Sequence, residues 1–202
     1  MFQFRQNFII LLPAIFLAYI QRKIWSKQPE YNPSDTEIAG SYHLNQRYVY
    51  FNLFLIYFTY LFLFIEFLFS IFPIINNVNI IKIIYLFAYL LIIFGFISSL
   101  LAIRHLASNW TGIFLYRIKK NQKLVTTGIY KYLRHPIYSA VLLELTGYQL
   151  LVNSYLSLVF LPLIFFFFLR QIQLEEKLLI KKYGQKYLNY CRKTKSILPF
   201  IY

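Results

Sequence analysis

The sequence predicts an all-α fold: a multi-pass transmembrane helical bundle of about five spans, with a helical hairpin towards its C-terminal end. Three observations predict it. The 202-residue chain is 59% hydrophobic and 21% aromatic but only 14% charged, with mean hydropathy +0.53. Soluble domains carry close to a quarter charged residues, and a fold of this size could not hide so much apolar area from water, so lipid must be its solvent. The apolar residues gather into four long blocks. Nineteen of the 21 Lys and Arg residues fall in three segments, 21–47, 104–136 and 170 onward.

Residues 8–20 with their flanks form a short first span, interrupted by Pro13. This block has no small-residue cleavage site and reads as a retained span rather than a signal peptide. Residues 48–72 form a long second span and 80–103 a third. The block 137–169 is too long for one crossing and carries Asn153-Ser154 near its middle, which predicts two helical arms. Each arm has about 16 residues, roughly 24 Å at the α-helical rise. That is short for a ~30 Å hydrocarbon core, so the second arm is expected to continue past Arg170. No internal repeat or low-complexity linker is present.

Only Arg5 and Lys82 lie outside the three basic segments. Five spans with the N-terminus outside place all three segments in the cytoplasm, as the positive-inside rule asks. Topology and anionic headgroups therefore account for the net charge of +14, and no nucleic-acid partner is expected. A single cysteine, Cys191, excludes a disulfide framework and a multi-cysteine metal site. His43, His105 and His135 have no ligand spacing, so no metal is expected.

The segment 104–136 begins as a helix extension through Arg104, His105, Asn109 and Trp110, then becomes a loop through Thr126-Thr127-Gly128. Gly128 permits positive φ or close approach to the backbone. Pro136 biases His135 away from the α region and can open the next helix as its first residue. Arg134 and His135 then stand at a helix N-terminus, where free N–H groups favour an anion; equally, they could anchor the helix at the headgroups. Residues 170–192 read as one amphipathic helix, with Ile172, Glu176, Leu179, Ile180, Tyr183 and Tyr187 at three- and four-residue steps. Glu175 and Glu176 could balance neighbouring Lys and Arg, or accept hydrogen bonds from a ribose or an ammonium group. Glu66 and Glu144 lie inside spans, where an acid is a functional hypothesis by default.

The residues Leu124-Val125-Thr126, Gly128, Tyr130, Arg134-His135-Pro136 and Tyr138, followed by Glu175-Glu176, Tyr183-Gly184, Tyr187, Tyr190 and Leu198-Pro199-Phe200, form a specific joint pattern. It resembles the isoprenylcysteine carboxyl methyltransferases, members of a wider group of integral-membrane methyltransferases that includes the phospholipid N-methyltransferases. The resemblance covers 104–202 and implies a methyltransferase core there, behind N-terminal membrane spans over 1–103. It implies S-adenosyl-L-methionine bound in a cytoplasmic pocket between the motif loop and the C-terminal helix. Leu124, Val125, Tyr130, His135, Pro136 and Tyr138, with the adjoining Gln122 and Lys123, look like cofactor contacts. Glu175 looks like the acid that binds the cofactor, with Glu176 beside it. The methyl acceptor implied is a lipidated, isoprenylcysteine-type carboxylate arriving from the bilayer, oriented by Arg170 or Arg134.

Three positions depart from the family pattern. Ala140 stands where glycine is common, and Gln122 where histidine is common. Gln171 stands at the place of the substrate-side arginine, with Arg170 beside it. Two alternatives share parts of the pattern. One is a phospholipid or amine N-methyltransferase, whose acceptor must lose a proton to a base such as Glu144 or His135. The other is an NADPH-dependent membrane sterol or enoyl reductase, which shares the Arg-His-Pro-x-Tyr segment.

Overall fold

The structure is a computed structural model that describes residues 2–26, 36–37, 74–109, 118–119 and 121–197, with 54, 57–58, 61–62 and 64–65. The described residues include the helices α1 (Phe2–Ser26), α2 (Val78–Leu106), α3 (Pro136–Val152), α4 (Ser157–Tyr183) and α5 (Gln185–Lys193). Single 3-10 turns occupy Ala107–Asn109 and Gly128–Lys131. The expected helical fold stands. The one addition, among the described residues, is a two-residue antiparallel ladder pairing Thr36–Glu37 (β1) with Ile118–Lys119 (β2).

Among the described residues, two helices are long and apolar enough to cross a membrane: the run Val78–Asn109, mean hydropathy 2.6, and Ser157–Tyr183, mean hydropathy 1.8. Helix α3 is apolar but shorter, at 17 residues. The outward faces of α2 and α4 expose Ile83, Phe94, Leu158 and Phe166, each more than 60% accessible. Water would penalise such faces and lipid tails would not. The 48–72 block falls largely outside the described residues. Its Phe62 ring packs against Phe160 of α4, with centroids 5.5 Å apart. Trp110, Glu66 and 198–200 also lie outside them.

Helix α1 runs straight through Pro13, so the expected interruption does not break it. The predicted hairpin is present, and its turn is made by Asn153 in the left-handed region (φ 52°, ψ 43°). Asparagine tolerates that conformation better than most L-residues. Its side chain is also engaged: Nδ2 donates to the Ile75 carbonyl (2.9 Å), and Oδ1 accepts from the Ile75 N–H (3.2 Å). The hairpin tip is thereby stitched to the segment that leads into α2. Asn77 caps α2 by accepting from the N–H groups of Asn79 and Ile80.

The core is the α2–α3 contact. The residues α2 buries, Ala88, Ile92, Gly95, Ser99 and Ala102, recur every three or four positions. A Cβ on Gly95 would meet the Ala140 carbonyl and Glu144 Cγ at 2.7 Å, and one on Gly147 would meet the Ala88 carbonyl at 2.6 Å. Small residues at these points let the two backbones approach, as membrane helix pairs commonly do. Helix α1 joins through polar bonds. Gln21 Nε2 donates to Glu144 (2.9 Å) and to Ser99 (3.1 Å), and the Tyr148 hydroxyl donates to the Ala14 carbonyl (3.0 Å). Glu144 thus has a partner inside the helix bundle, away from the motif loop.

Candidate active site

The motif loop runs from the end of α2 to the start of α3. Gly128 takes φ +61°, as its position required. A Cβ there would fall 1.9 Å from His105 Nε2, so the His105 ring packs directly against this turn. His105 Nδ1 is 2.7 Å from the Leu101 carbonyl, and a carbonyl can only accept, so the proton is on Nδ1. Further along, the Tyr130 carbonyl accepts from the Tyr190 hydroxyl at 2.6 Å. His135 caps α3 and Pro136 is its first residue.

The C-terminal tail docks just ahead of this helix. The Arg134 N–H donates to the Lys195 carbonyl (2.8 Å) and the His135 N–H to the Ser196 carbonyl (3.0 Å). The Lys195 N–H returns a bond to the Tyr132 carbonyl (3.1 Å). The C-terminal tail therefore takes the N–H groups of Arg134 and His135, the two residues that precede the first turn of α3. The expected single helix over 170–192 is also two. It breaks at Gly184, φ +53°, and α5 turns back so that Tyr187 and Tyr190 are buried.

Between loop, α4 and α5 lies an open cavity. The loop contributes Gln122, Lys123, Leu124, Val125, Tyr130 and Arg134. The start of α3 contributes His135, Pro136, Ile137 and Tyr138. Helix α4 contributes Glu175, Leu179 and Tyr183, one residue per turn, and α5 contributes Tyr187 and Tyr190. The end of α2 adds Leu106 and Asn109. Every motif-loop residue expected in a site is therefore in one wall, with Glu175 facing them. Glu176 is not in the lining; it lies behind, bonded to the residues that are. Arg170 is exposed and outside the lining. Five residues separate it from Glu175, which on an α-helix is roughly 140° of rotation.

Leu106 and Asn109 had no signal in the sequence as site residues. They enter because Ala102, Ile103 and Leu106 pack against Val125, Ile129, Tyr130 and Ile137. Asn109 Oδ1 then accepts from the Lys123 N–H at 3.0 Å. From the other side the Tyr183 hydroxyl donates to the Gln122 carbonyl at 2.8 Å, so the loop is pinned at both edges.

The polar centre is His135, whose side chain is 3% exposed. Its Nε2 is 3.2 Å from Glu176 Oε1 and its Nδ1 is 3.6 Å from Glu175 Oε2. Glu176 Oε1 also accepts from Arg134 Nε at 2.7 Å. Arg134 Nη1 donates to the carbonyls of Thr194 (2.6 Å) and Cys191 (3.2 Å). That leaves Nη2 as the one guanidinium nitrogen with no partner among the described residues. Burial opposes the Arg134 charge, but the Glu176 hydrogen bond and carboxylate outweigh it and raise the guanidinium above its ordinary value. Burial, with Glu175 in second place, pushes the Tyr130 phenol well up. Burial likewise raises Tyr190. These hydroxyls stay protonated, so they can donate and cannot serve as bases near neutral pH.

Comparison with known proteins fits this geometry. The sequence model of the isoprenylcysteine carboxyl methyltransferase (ICMT) family matches residues 87–181, from mid-α2 to the pocket face of α4. Protein-S-isoprenylcysteine O-methyltransferase B of Arabidopsis thaliana is 33% identical over 116 residues, covering 57% of this chain and 59% of the relative. The protein-S-isoprenylcysteine O-methyltransferase of Saccharomyces cerevisiae is 34% identical over 113 residues, covering 55% and 47%. The chain thus spans about half the length of these relatives. The solved structure of the eukaryotic intramembrane Ras methyltransferase ICMT superposes with a TM-score of 0.55 at 23% identity, over 80% of this chain and 54% of that one. In sequence over 87–181, and in fold over four-fifths of its length, this chain resembles the isoprenylcysteine carboxyl methyltransferase family.

Proposed function

We propose that the protein transfers a methyl group from S-adenosyl-L-methionine to the carboxylate of an isoprenylcysteine-type lipid acceptor at a membrane. The observation that carries this reading is the facing of Glu175 and the motif loop across one cavity, within the stretch matched by the methyltransferase family. The residues fit such a cofactor. Leu124, Val125, Ile137 and Leu179 give an apolar wall for a nucleoside, and Glu175, 39% exposed and only loosely approached by His135, is free to accept from hydroxyl or ammonium groups.

When bound, the cofactor supplies an electrophilic methyl on a sulfonium. The acceptor carboxylate is already ionised at neutral pH, so no general base is needed. What the chain supplies is position and dryness. Glu176, held by Arg134 and His135, fixes the His135 ring against Glu175. Arg134 Nη2 is the donor left to orient the acceptor carboxylate. Arg170, on the exposed face of α4, is placed to draw in an anionic lipid from the rim. Gln122, Lys123, Tyr130, Pro136 and Tyr138 complete the cofactor walls. The arrangement proposed in the membrane is five spans, with 1–103 as anchor and the cavity of 104–202 on the cytoplasmic side.

The test is binding followed by turnover. Protein purified in detergent should bind S-adenosylhomocysteine and not NADPH. It should also methylate N-acetyl-S-farnesylcysteine to a base-labile ester. Binding of NADPH alone would move the protein to the reductases. Base-stable methylated phosphatidylethanolamine as the sole product would move it to the amine-methylating branch.

A further inference from the structure

We propose that Asn109 and Lys123 form a carboxylate-reading subsite at the α2 end of the cavity, which holds the amino-acid carboxylate of the cofactor and so sets the direction in which it lies. This rests on reading the cavity as an S-adenosylmethionine site. Two observations lead to it.

The first is the locked amide of Asn109. Its partner, the Lys123 N–H, can only donate, so the atom facing it at 3.0 Å is the oxygen, whichever way the side chain is drawn. The amide nitrogen is thereby the free end. It carries two N–H donors and has no partner among the described residues, on a half-buried side chain that lines the cavity. With its oxygen turned to the Lys123 N–H, Asn109 presents its amide donors to a ligand.

The second is the division of charge across the cavity. Lys123, bonded through its backbone to Asn109, is a cationic residue of the same lining. The carboxylate in the lining, Glu175, stands on α4 and faces His135. One wall thus combines an amide donor with a cation, and another presents an acid. With Arg134 Nη2 left for the acceptor carboxylate, an extended ligand with its own anionic end and hydroxyl or ammonium groups fits with its carboxylate towards Asn109 and Lys123 and its acceptor-seeking groups towards Glu175. A nucleobase nitrogen against Asn109 could take one hydrogen bond but would gain nothing from the Lys123 charge. The Tyr183 bond to Gln122 holds the loop from its other edge, so the subsite is formed before the ligand arrives.

The experiment compares S-adenosylhomocysteine with its decarboxylated analogue by calorimetry in detergent. Wild-type protein should favour the intact ligand by about tenfold, the scale of one charge-assisted contact. Asn109→Asp keeps an oxygen for the Lys123 N–H but sets a carboxylate against a carboxylate. It should weaken the intact ligand by at least about tenfold while leaving the analogue within roughly twofold. Lys123→Gln, at an exposed side chain, should reduce the preference for the intact ligand without weakening the analogue, and it carries the test alone if Asn109→Asp does not fold. Equal weakening of both ligands would mean that Asn109 reads the base or only holds the loop, and would overturn the subsite, as would no change in either. Wild-type protein that binds neither ligand would instead overturn the reading of the cavity itself.

Discussion

Arg134 Nε and Glu176 Oε1 meet at 2.7 Å, with side chains only 11% and 23% exposed. The contact joins the loop before α3 to the far end of α4. Through Nη1 the same guanidinium reaches the carbonyls of Cys191 and Thr194, so loop, helix and tail are fastened at one group. The planar fork of arginine suits this, since its donors point in fixed and different directions.

Arg134→Ala should therefore act first on stability. It strands Glu176 beside His135 and frees two carbonyls, at a cost of about 3 kcal/mol for breaking one side of a largely buried pair. Arg134→Lys keeps the charge but cannot span the three acceptors, and should fall between. Thermal unfolding in detergent measures both. Unfolding of Arg134→Ala at the wild-type temperature would show that the clamp holds nothing.

Glu175 and Glu176 should separate by readout. Glu175 has only a 3.6 Å approach from His135 and faces the cavity, so Glu175→Gln should leave stability nearly unchanged. It should weaken S-adenosylhomocysteine binding by about 1.5–3 kcal/mol, the range for a hydrogen bond to a charged group. Glu176→Gln should lower the unfolding temperature. The reverse pattern would exchange their roles.

Arg170 and Arg134 should divide kinetically. Arg170 lies on the exposed face of α4, outside the lining, so Arg170→Ala should raise KM for an anionic lipid acceptor more than it lowers kcat. Arg134→Lys should lower kcat at saturating acceptor. A large kcat loss in Arg170→Ala with unchanged KM would place that residue at the reacting carboxylate after all.

Gly147→Ala should cost about 1–3 kcal/mol, the usual penalty for forcing a methyl into a packed contact. Its Cβ would lie 2.6 Å from the Ala88 carbonyl, which is backbone and cannot rotate away. Unfolding temperature in detergent checks it, with Gly184→Ala as a contrast. No neighbour lies within 4 Å there, and only the φ of +53° opposes the side chain.

Cys191 should react slowly with maleimide at neutral pH. Burial raises its thiol first and Glu176 adds to this, against the opposing pull of Arg134. Raising the thiol's value leaves less thiolate at a given pH, so the rate should keep climbing above the pH at which an ordinary thiol levels off. In a Cys191→Ser background, a cysteine placed at Gln122 should label from the cytoplasmic side; labelling only from the outside would refute the proposed orientation.

Much of this architecture was legible because membrane helices and Gly-Pro turns leave local marks. The 137–169 block shows its turn at Asn153, Pro136 opens its helix, and Gly128 takes the positive φ that a side chain would resist. The motif loop and Glu175, read as one constellation across 40 intervening residues or more, do line one cavity. What was not legible depended on partners distant in the chain. The break at Gly184 was hidden because the three- and four-residue spacing continues across it, and only docking of Tyr187 and Tyr190 turns α5 back. The docking of the tail on the Arg134 and His135 N–H groups was hidden because their acceptors, the carbonyls of Lys195 and Ser196, are 60 residues away or more.

By itself, then, the sequence determined the helical class and the hairpin, and its resemblance to a family picked out residues that line one cavity. The first two follow from composition and local turn signals, the third from the joint motif that carries the resemblance. Tertiary structure alone decided how that set is arranged. Gly95 and Gly147 let α2 and α3 touch backbone to backbone, and this brings Asn109 to Lys123. It also decided that Arg134 spends its donors on Glu176 and the tail while Arg170 turns outward. The physical reason is that a hydrogen bond is set by what lies within about 3 Å in space, whatever the separation along the chain.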